Sequence, residues 1–301
     1  MSNEKLKAEI GGTELRNPTM LAAGVMGLTG SSLRNVWNHG AGAVLTKSFG
    51  LESRKGYDGP NVVETPCGLL NAMGLPNPGV EEVLKEVKKL SKESVKVIGS
   101  IYGHKKEDYL KLASRLEDKV TAVELNLSCP HAEGLSNIGH DPQLTKKISG
   151  IGKELEIPVW VKLPAKTDIK KFIEVAKSAE KGGADAIVIT NTLPGISIDV
   201  KSKKPVLGHK TGGLSGQAIK PVGIRLVYEA YREVDIPIIG VGGITTGEDM
   251  LEYILSGASA VEIGTGIMKR DLSIFEKICN EAEEILESHE IKELIGMAHE
   301  S

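Results

Sequence analysis

Three side chains stand out as capable of chemistry. Cys129 lies in Asn126-Leu127-Ser128-Cys129-Pro130-His131, between a polar residue and a rigid proline. A thiol with an ordinary pKa of about 8.5 serves as a general base or a nucleophile where its neighbours favour the thiolate. Cys67 and Cys279 read instead as buried packing residues. His131 reads as a surface residue, because adjacency in sequence does not make a Cys–His pair. Lys162 ends the run Val159-Trp160-Val161-Lys162. Strand alternation puts Trp160 and Lys162 on one face and Val159, Val161 and Leu163 on the other. The apolar set suits packing against helices, so Lys162 points to the opposite side. A buried lysine needs an anion. It would serve either as a Schiff-base nucleophile or to neutralise an anionic ligand. Lys47, in Thr46-Lys47-Ser48, offers a second cation, a rim lysine being the bland alternative.

Two glycine clusters, Gly242-Gly243 and Gly264-Thr265-Gly266, expose bare amides. Amide clusters beside a helix N-terminus bind phosphate dianions, on a substrate or on a cofactor such as FMN. Asn71, Asn77, Asn126 and Asn191 supply donors and acceptors together, which suits a planar imide or amide ligand bearing a carboxylate.

Such residues need a frame, and the pattern between them supplies one. Short β-branched runs at 19–23, 43–47, 96–101, 122–127, 159–163, 186–190, 236–240 and 260–263 read as strands. Between them lie amphipathic helices. Val80, Val83, Leu84, Val87 and Leu90 share one helical face, and 171–182 and Gly247–Leu255 behave alike. One junction recurs: Gly40-Ala41-Gly42-Ala43, Gly182-Gly183-Ala184 and Ser256-Gly257-Ala258 each end a helix at glycine and feed a strand. Repeated β-α units with parallel strands follow. Eight of them, without an early Gly-rich strand–helix turn, favour an α/β fold of the (β/α)8 TIM-barrel type over a doubly wound sheet. The expectation is one domain over 1–301, with a small N-terminal hairpin at 9–15 and two long top-face loops, 49–79 and 193–217. In such a barrel the candidate residues fall at strand C-termini, where active sites lie.

Composition narrows the function. Of 301 residues, 37 are Lys or Arg and 40 Asp or Glu, a formal net charge of −3, which argues against a nucleic-acid footprint. Aromatics at 4% disfavour base-stacking platforms. Hydrophobic content of 40% provides a large core. Three cysteines neither build a disulfide framework nor supply the four thiolates of an ordinary iron–sulfur cluster. A reduced, cytoplasmic setting, no signal peptide and no membrane span are expected.

Taken together, the motifs resemble class 1 dihydroorotate dehydrogenases. The stretches that carry the resemblance are Thr46–Ser48, Asn71–Gly79, Asn126–Pro130, Val161–Leu163, Asn191-Thr192, Thr211–Gly216 and the two glycine clusters, in family order. The resemblance implies an FMN enzyme oxidising dihydroorotate to orotate in pyrimidine biosynthesis. Cys129 would be the general base for the C5 proton while the C6 hydride passes to FMN. Lys47, Asn71, Ala72, Met73, Gly74, Leu75, Asn126, Asn191 and Thr192 would bind substrate. Ala23, Lys47, Ser48, Ser100, Asn126, Lys162, Thr190, Gly216, Gly242, Gly243, Gly264 and Thr265 would hold FMN, with Lys162 beside the flavin ring. Pro205–Gly208, leading into Thr211–Gly216, resembles class 1B rather than the fumarate-using class 1A. That class implies a homodimer within a heterotetramer, whose partner subunit carries FAD and a [2Fe–2S] cluster and reduces NAD+. Dihydropyrimidine dehydrogenases share the hexapeptide ending in His131, but their substrate loop differs from Asn71–Gly79. A flavin-free Schiff-base lyase on Lys162 and a non-catalytic phosphate-binding barrel are the remaining alternatives.

Overall fold

The computed structural model describes residues 4–127, 138–165 and 168–300. Eight parallel strands close into a barrel in chain order: Thr19–Leu21, Ala43–Leu45, Val97–Ile101, Ala122–Asn126, Val159–Lys162, Ala186–Ile189, Ile238–Val241 and Ala258–Ile263. The eighth strand pairs with the first, Val261 opposite Thr19, so no edge is left open. Several strands stop short of the sequence reading at their C-terminal ends. Thr46 and Leu127 still donate backbone bonds to the Ile98 and Lys162 carbonyls. There the chain peels off the ladder and forms the rim of a cavity.

The helices pack outside the barrel as the periodicity requires. Val80–Lys88 buries Val80, Val83 and Val87, and Ile169–Gly182 buries Phe172, Val175, Ala176 and Ala179. Asp168 caps the latter by accepting from the Lys171 amide, and a Thr246–Asp249 capping box starts Gly247–Leu255. The repeated junction has one physical cause. Gly40, Gly183 and Gly257 adopt φ of +98°, +122° and +115°, where an L side chain is strained.

Val159, Val161 and Leu163 join the outer core between strands and helices, whereas Trp160 lies in the bore. The lower bore is apolar, filled by Met20, Leu45, Ile98, Trp160, Val188 and Ile239. Below it an antiparallel hairpin, Ala8–Ile10 with Thr13–Leu15, presses Ile10 and Leu15 into the same cluster and stoppers the barrel.

The two long top-face segments carry strands of their own. Leu193–Ile196, Thr211–Ser215, Gly68–Asn71 and Val62–Thr65 form, in that order, one antiparallel sheet over the barrel mouth. Gly213 pairs with Asn71, joining segments far apart in sequence. The glycines of Thr211-Gly212-Gly213 permit the approach, since a Cβ on Gly212 would collide with the Asn71 carbonyl. A small hairpin, Ile198–Asp199 with Lys204–Pro205, projects beyond the sheet.

Candidate active site

A cavity of about 580 Å³ lies between the strand C-termini and this sheet, within the usual range for small-molecule sites. Strand ends and the loops that follow them supply Ala23, Lys47, Ser48, Asn126, Lys162, Thr190, Asn191, Thr192, Gly242, Gly243, Gly264 and Thr265 to its wall. The overlying segments add Asn71, Met73, Gly74, Leu75 and Gly216. Thus most residues singled out from sequence meet around one space. Two stand behind the wall. Ser100 is fully buried and bonded to Ser48 and Glu124, and Ala72 packs with Leu70 and Leu207. Cys129, with Ser128, Pro130 and His131, lies outside the described residues.

The floor of the cavity is charged. Lys162 Nζ reaches across the bore to Glu262 Oε2 at 2.5 Å and stands 3.4 Å from Glu124 Oε2. Lys162 is 4% exposed, Glu262 1% and Glu124 0%. Burial pulls the lysine pKa down, but the two carboxylates outweigh it and hold the ammonium above its ordinary value. Burial, reinforced by Glu124, pushes the Glu262 carboxyl well up, with Lys162 opposing. A hydrogen-bonded chain runs from the wall into this cluster. Asn126 Nδ2 donates to Ser48 Oγ at 3.1 Å, Ser48 and Ser100 hydroxyls meet at 2.9 Å, and Ser100 donates to Glu124 Oε1 at 2.8 Å.

Lys47 contrasts with Lys162. It is half-buried at the rim, burial alone pushes its pKa below the ordinary 10.5, and no ion pair is formed to it among the described residues. A cation paying desolvation without a partner suits an anionic ligand. Thr190 Oγ1 is likewise buried without a hydrogen-bond partner among the described residues. Asn71 donates to the Gly213 carbonyl at 3.1 Å and Asn191 accepts from the Thr192 amide at 2.7 Å, which fixes both amides on the wall. Asn77 does not belong with them. It donates to Leu75 O and Tyr102 Oη and organises the turn beneath.

At the far end, Gly242 and Gly243 adopt φ of +125° and +74°. A Cβ on Gly243 would stand 2.7 Å from Lys220 Cβ, so backbone alone fits there. Lys220 is itself bonded to Asp249 and Glu252, and Arg270 to Glu281. An anion at this end would therefore be held by amides rather than by these side chains.

The dihydroorotate dehydrogenase family model matches residues 5–286. The chain belongs to the dihydroorotate dehydrogenase family. A relative from Methanocaldococcus jannaschii, described as the catalytic subunit of dihydroorotate dehydrogenase B (NAD(+)), is 48% identical over 98% of each chain. Relatives of the same description from Methanothermobacter thermautotrophicus and Pyrococcus furiosus are 45% and 46% identical, the match covering 98% and 97% of this chain and 99% and 98% of theirs. The expected likeness to the B type thus stands, as does an oxidoreductase. A solved structure of DHODH from Eimeria tenella in complex with ferulenol superposes with a TM-score of 0.88, covering 100% of this chain and 90% of that one. At 22% identity that likeness shows the shared barrel.

Within this dihydroorotate dehydrogenase, sequence reasoning missed Glu124 and Glu262. The signal was present. Counting by two from Ala122 gives Glu124 and Asn126 on the inward face, and Ala260 gives Glu262. Cys279 is buried as expected, its thiol pushed up to about 12 by burial. Cys67 is not a packing residue, because the hairpin turn between Thr65 and Gly68 leaves it exposed. No described helix is long and apolar enough to cross a membrane.

Proposed function

We propose that this chain binds FMN, oxidises dihydroorotate to orotate, and passes the electrons to NAD+ through a partner subunit carrying FAD and a [2Fe–2S] cluster. The observation that carries the reading is a pair of unlike cations on one cavity. Lys162 is fixed across the floor by carboxylates, and Lys47 waits at the rim with none.

The lining suits FMN in three respects. Gly242, Gly243, Gly216 and Gly264 present bare backbone at one end of the cavity, with Thr265 beside them, which suits a phosphate. Thr190 Oγ1 is a buried polar atom awaiting a partner. Ala23 and Ser48 line the wall near the Lys162 floor. When bound, the flavin supplies a two-electron acceptor for the hydride leaving C6.

The chain's own residues do the rest. Lys47 holds the substrate carboxylate by a charge-assisted bond. Asn71, Asn126, Asn191 and Thr192, with the backbone of Met73, Gly74 and Leu75, hold the pyrimidine ring flat. Lys162 keeps a positive charge beneath the site where negative charge develops. Cys129, two residues beyond Leu127, takes the C5 proton, a step that a positioned base accelerates by about 10²–10⁴. The antiparallel sheet above the cavity limits access of water. The relatives' description as a catalytic subunit supports a separate partner for the electron route.

The test is anaerobic. Purified protein should be yellow, and dihydroorotate should bleach it. Cys129→Ser should keep the colour and bleach at least about a hundredfold more slowly at neutral pH. Colourless protein, or a variant as fast as the parent, overturns the reading. Rapid turnover of the isolated chain with fumarate overturns the electron route alone.

A further inference from the structure

Three ionisable side chains share the bore, and their charges do not balance. Glu124 and Glu262 face a single Lys162. The other strands contribute no titratable group at this level. Around and below the cluster stand Ser100, Met20, Leu45, Ile98, Val188 and Ile239, with Lys47 further out at the rim. The donors do not balance either. Lys162 donates to Glu262 Oε2 and Ser100 to Glu124 Oε1, while Glu124 Oε2, 3.4 Å from Lys162 Nζ, and Glu262 Oε1 are buried with no hydrogen-bond partner among the described residues. An uncompensated buried carboxylate is strongly disfavoured, and a single proton removes the imbalance.

We propose that Glu124 and Glu262 hold one proton between them while Lys162 stays charged, and that the pair takes up a second proton when a ligand in the cavity gains negative charge. The resting floor is then neutral and the loaded floor carries one positive charge. The direction of the Glu262 shift agrees.

A path for that second proton is built in. Ser100 spends its hydrogen on Glu124, so at the Ser48–Ser100 contact Ser48 is the donor. Ser48 in turn accepts from Asn126 and lines the cavity. Each hydroxyl in the row therefore points its proton toward Glu124. A proton from water reaches Ser48 as the Ser48 proton moves to Ser100 and the Ser100 proton moves to Glu124. One proton enters, one carboxylate becomes an acid, and no electrons move. Glu124 and Glu262 are positioning residues here, setting the charge that Lys162 presents.

The shared proton is independent of the proposed flavin chemistry, while the uptake step rests on it, so two measurements separate them. The first is the infrared spectrum at about pH 8, far above the ordinary carboxyl pKa of about 4.3. One un-ionised carboxylic acid carbonyl band is expected in the parent protein. It should be lost in Glu262→Gln and in Glu124→Gln, each of which leaves one carboxylate to pair with Lys162. Absence of the band in the parent, or its survival in both variants, overturns the shared proton. The parent spectrum decides the matter even if a variant does not fold. The second is reduction of the flavin-loaded protein by dithionite in weak buffer with a pH indicator. The parent should take up one proton more than the Glu124→Gln/Glu262→Gln double variant, whose floor has no carboxylate left to protonate, and equal uptake overturns the coupling. Dithionite replaces the substrate here, so failure of dihydroorotate to bleach the protein leaves this readout intact.

Discussion

The two halves of the barrel bore are built from the same eight strands and solve opposite problems. The lower half is filled by Met20, Trp160, Ile239 and their neighbours and sealed by Ile10 and Leu15 of the hairpin. Its side chains are apolar apart from the Trp160 indole, whose Nε1 is buried without a hydrogen-bond partner among the described residues. The upper half carries an ion cluster, a hydroxyl chain and an unpaired rim lysine in a comparable space. A few residues of rise along each strand separate a layer that stabilises the fold from a layer that spends stability on function. Burying charge costs folding energy unless it is paired, so polar residues are confined to where a ligand or a partner repays them.

The contrast can be broken from its largest effect downward. Lys162→Met removes the cation that pairs with two buried carboxylates. It should lower unfolding free energy by about 3–5 kcal/mol and also abolish flavin retention. Denaturant unfolding and the absorbance of the purified protein read the two effects. In the lower half, Met20→Ala should cost a comparable or slightly smaller amount, about 2–5 kcal/mol, by leaving a cavity. Flavin affinity should be unchanged, and a tenfold weakening would show that the halves are not separable.

Lys47→Ala sharpens the comparison at the rim. Loss of one charge-assisted contact of about 1.5–3 kcal/mol should weaken orotate binding by roughly 10–150-fold. The sign with pH follows from the lowered pKa. In the bare protein, charged Lys47 opposes folding, and that cost is relieved as pH rises through its lowered pKa toward 10.5. Orotate needs the charged form, so its affinity should fall over that same window. A Lys47→Arg variant should move the fall to higher pH, and an orotate titration followed by flavin absorbance checks it.

The barrel was legible because its evidence is local. Gly40, Gly183 and Gly257 each carry the same left-handed turn within a few residues of the strand they launch. The face of Lys162 was legible for the same reason, by alternation within one strand. Three features depended on distant partners. Asn71 and Gly213 pair across a gap that no local pattern spans, so the top-face sheet read only as two long segments. Glu124 and Glu262 gain their meaning from facing one lysine from two other strands. Ser100 is a polar residue on an inward face, and only the packing reveals that Ser48 stands between it and the cavity. Cys67 was misread because exposure at a tight hairpin turn is decided by the strands on either side of it.

The N-terminal hairpin has a consequence for traffic. With Ile10 and Leu15 stopping one end, the tube is a cul-de-sac entered from the other. Whatever lodges against Lys162 must arrive first and leave last, and a smaller guest held at Lys47 can come and go without disturbing it. Order of loading thereby follows from depth in the tube.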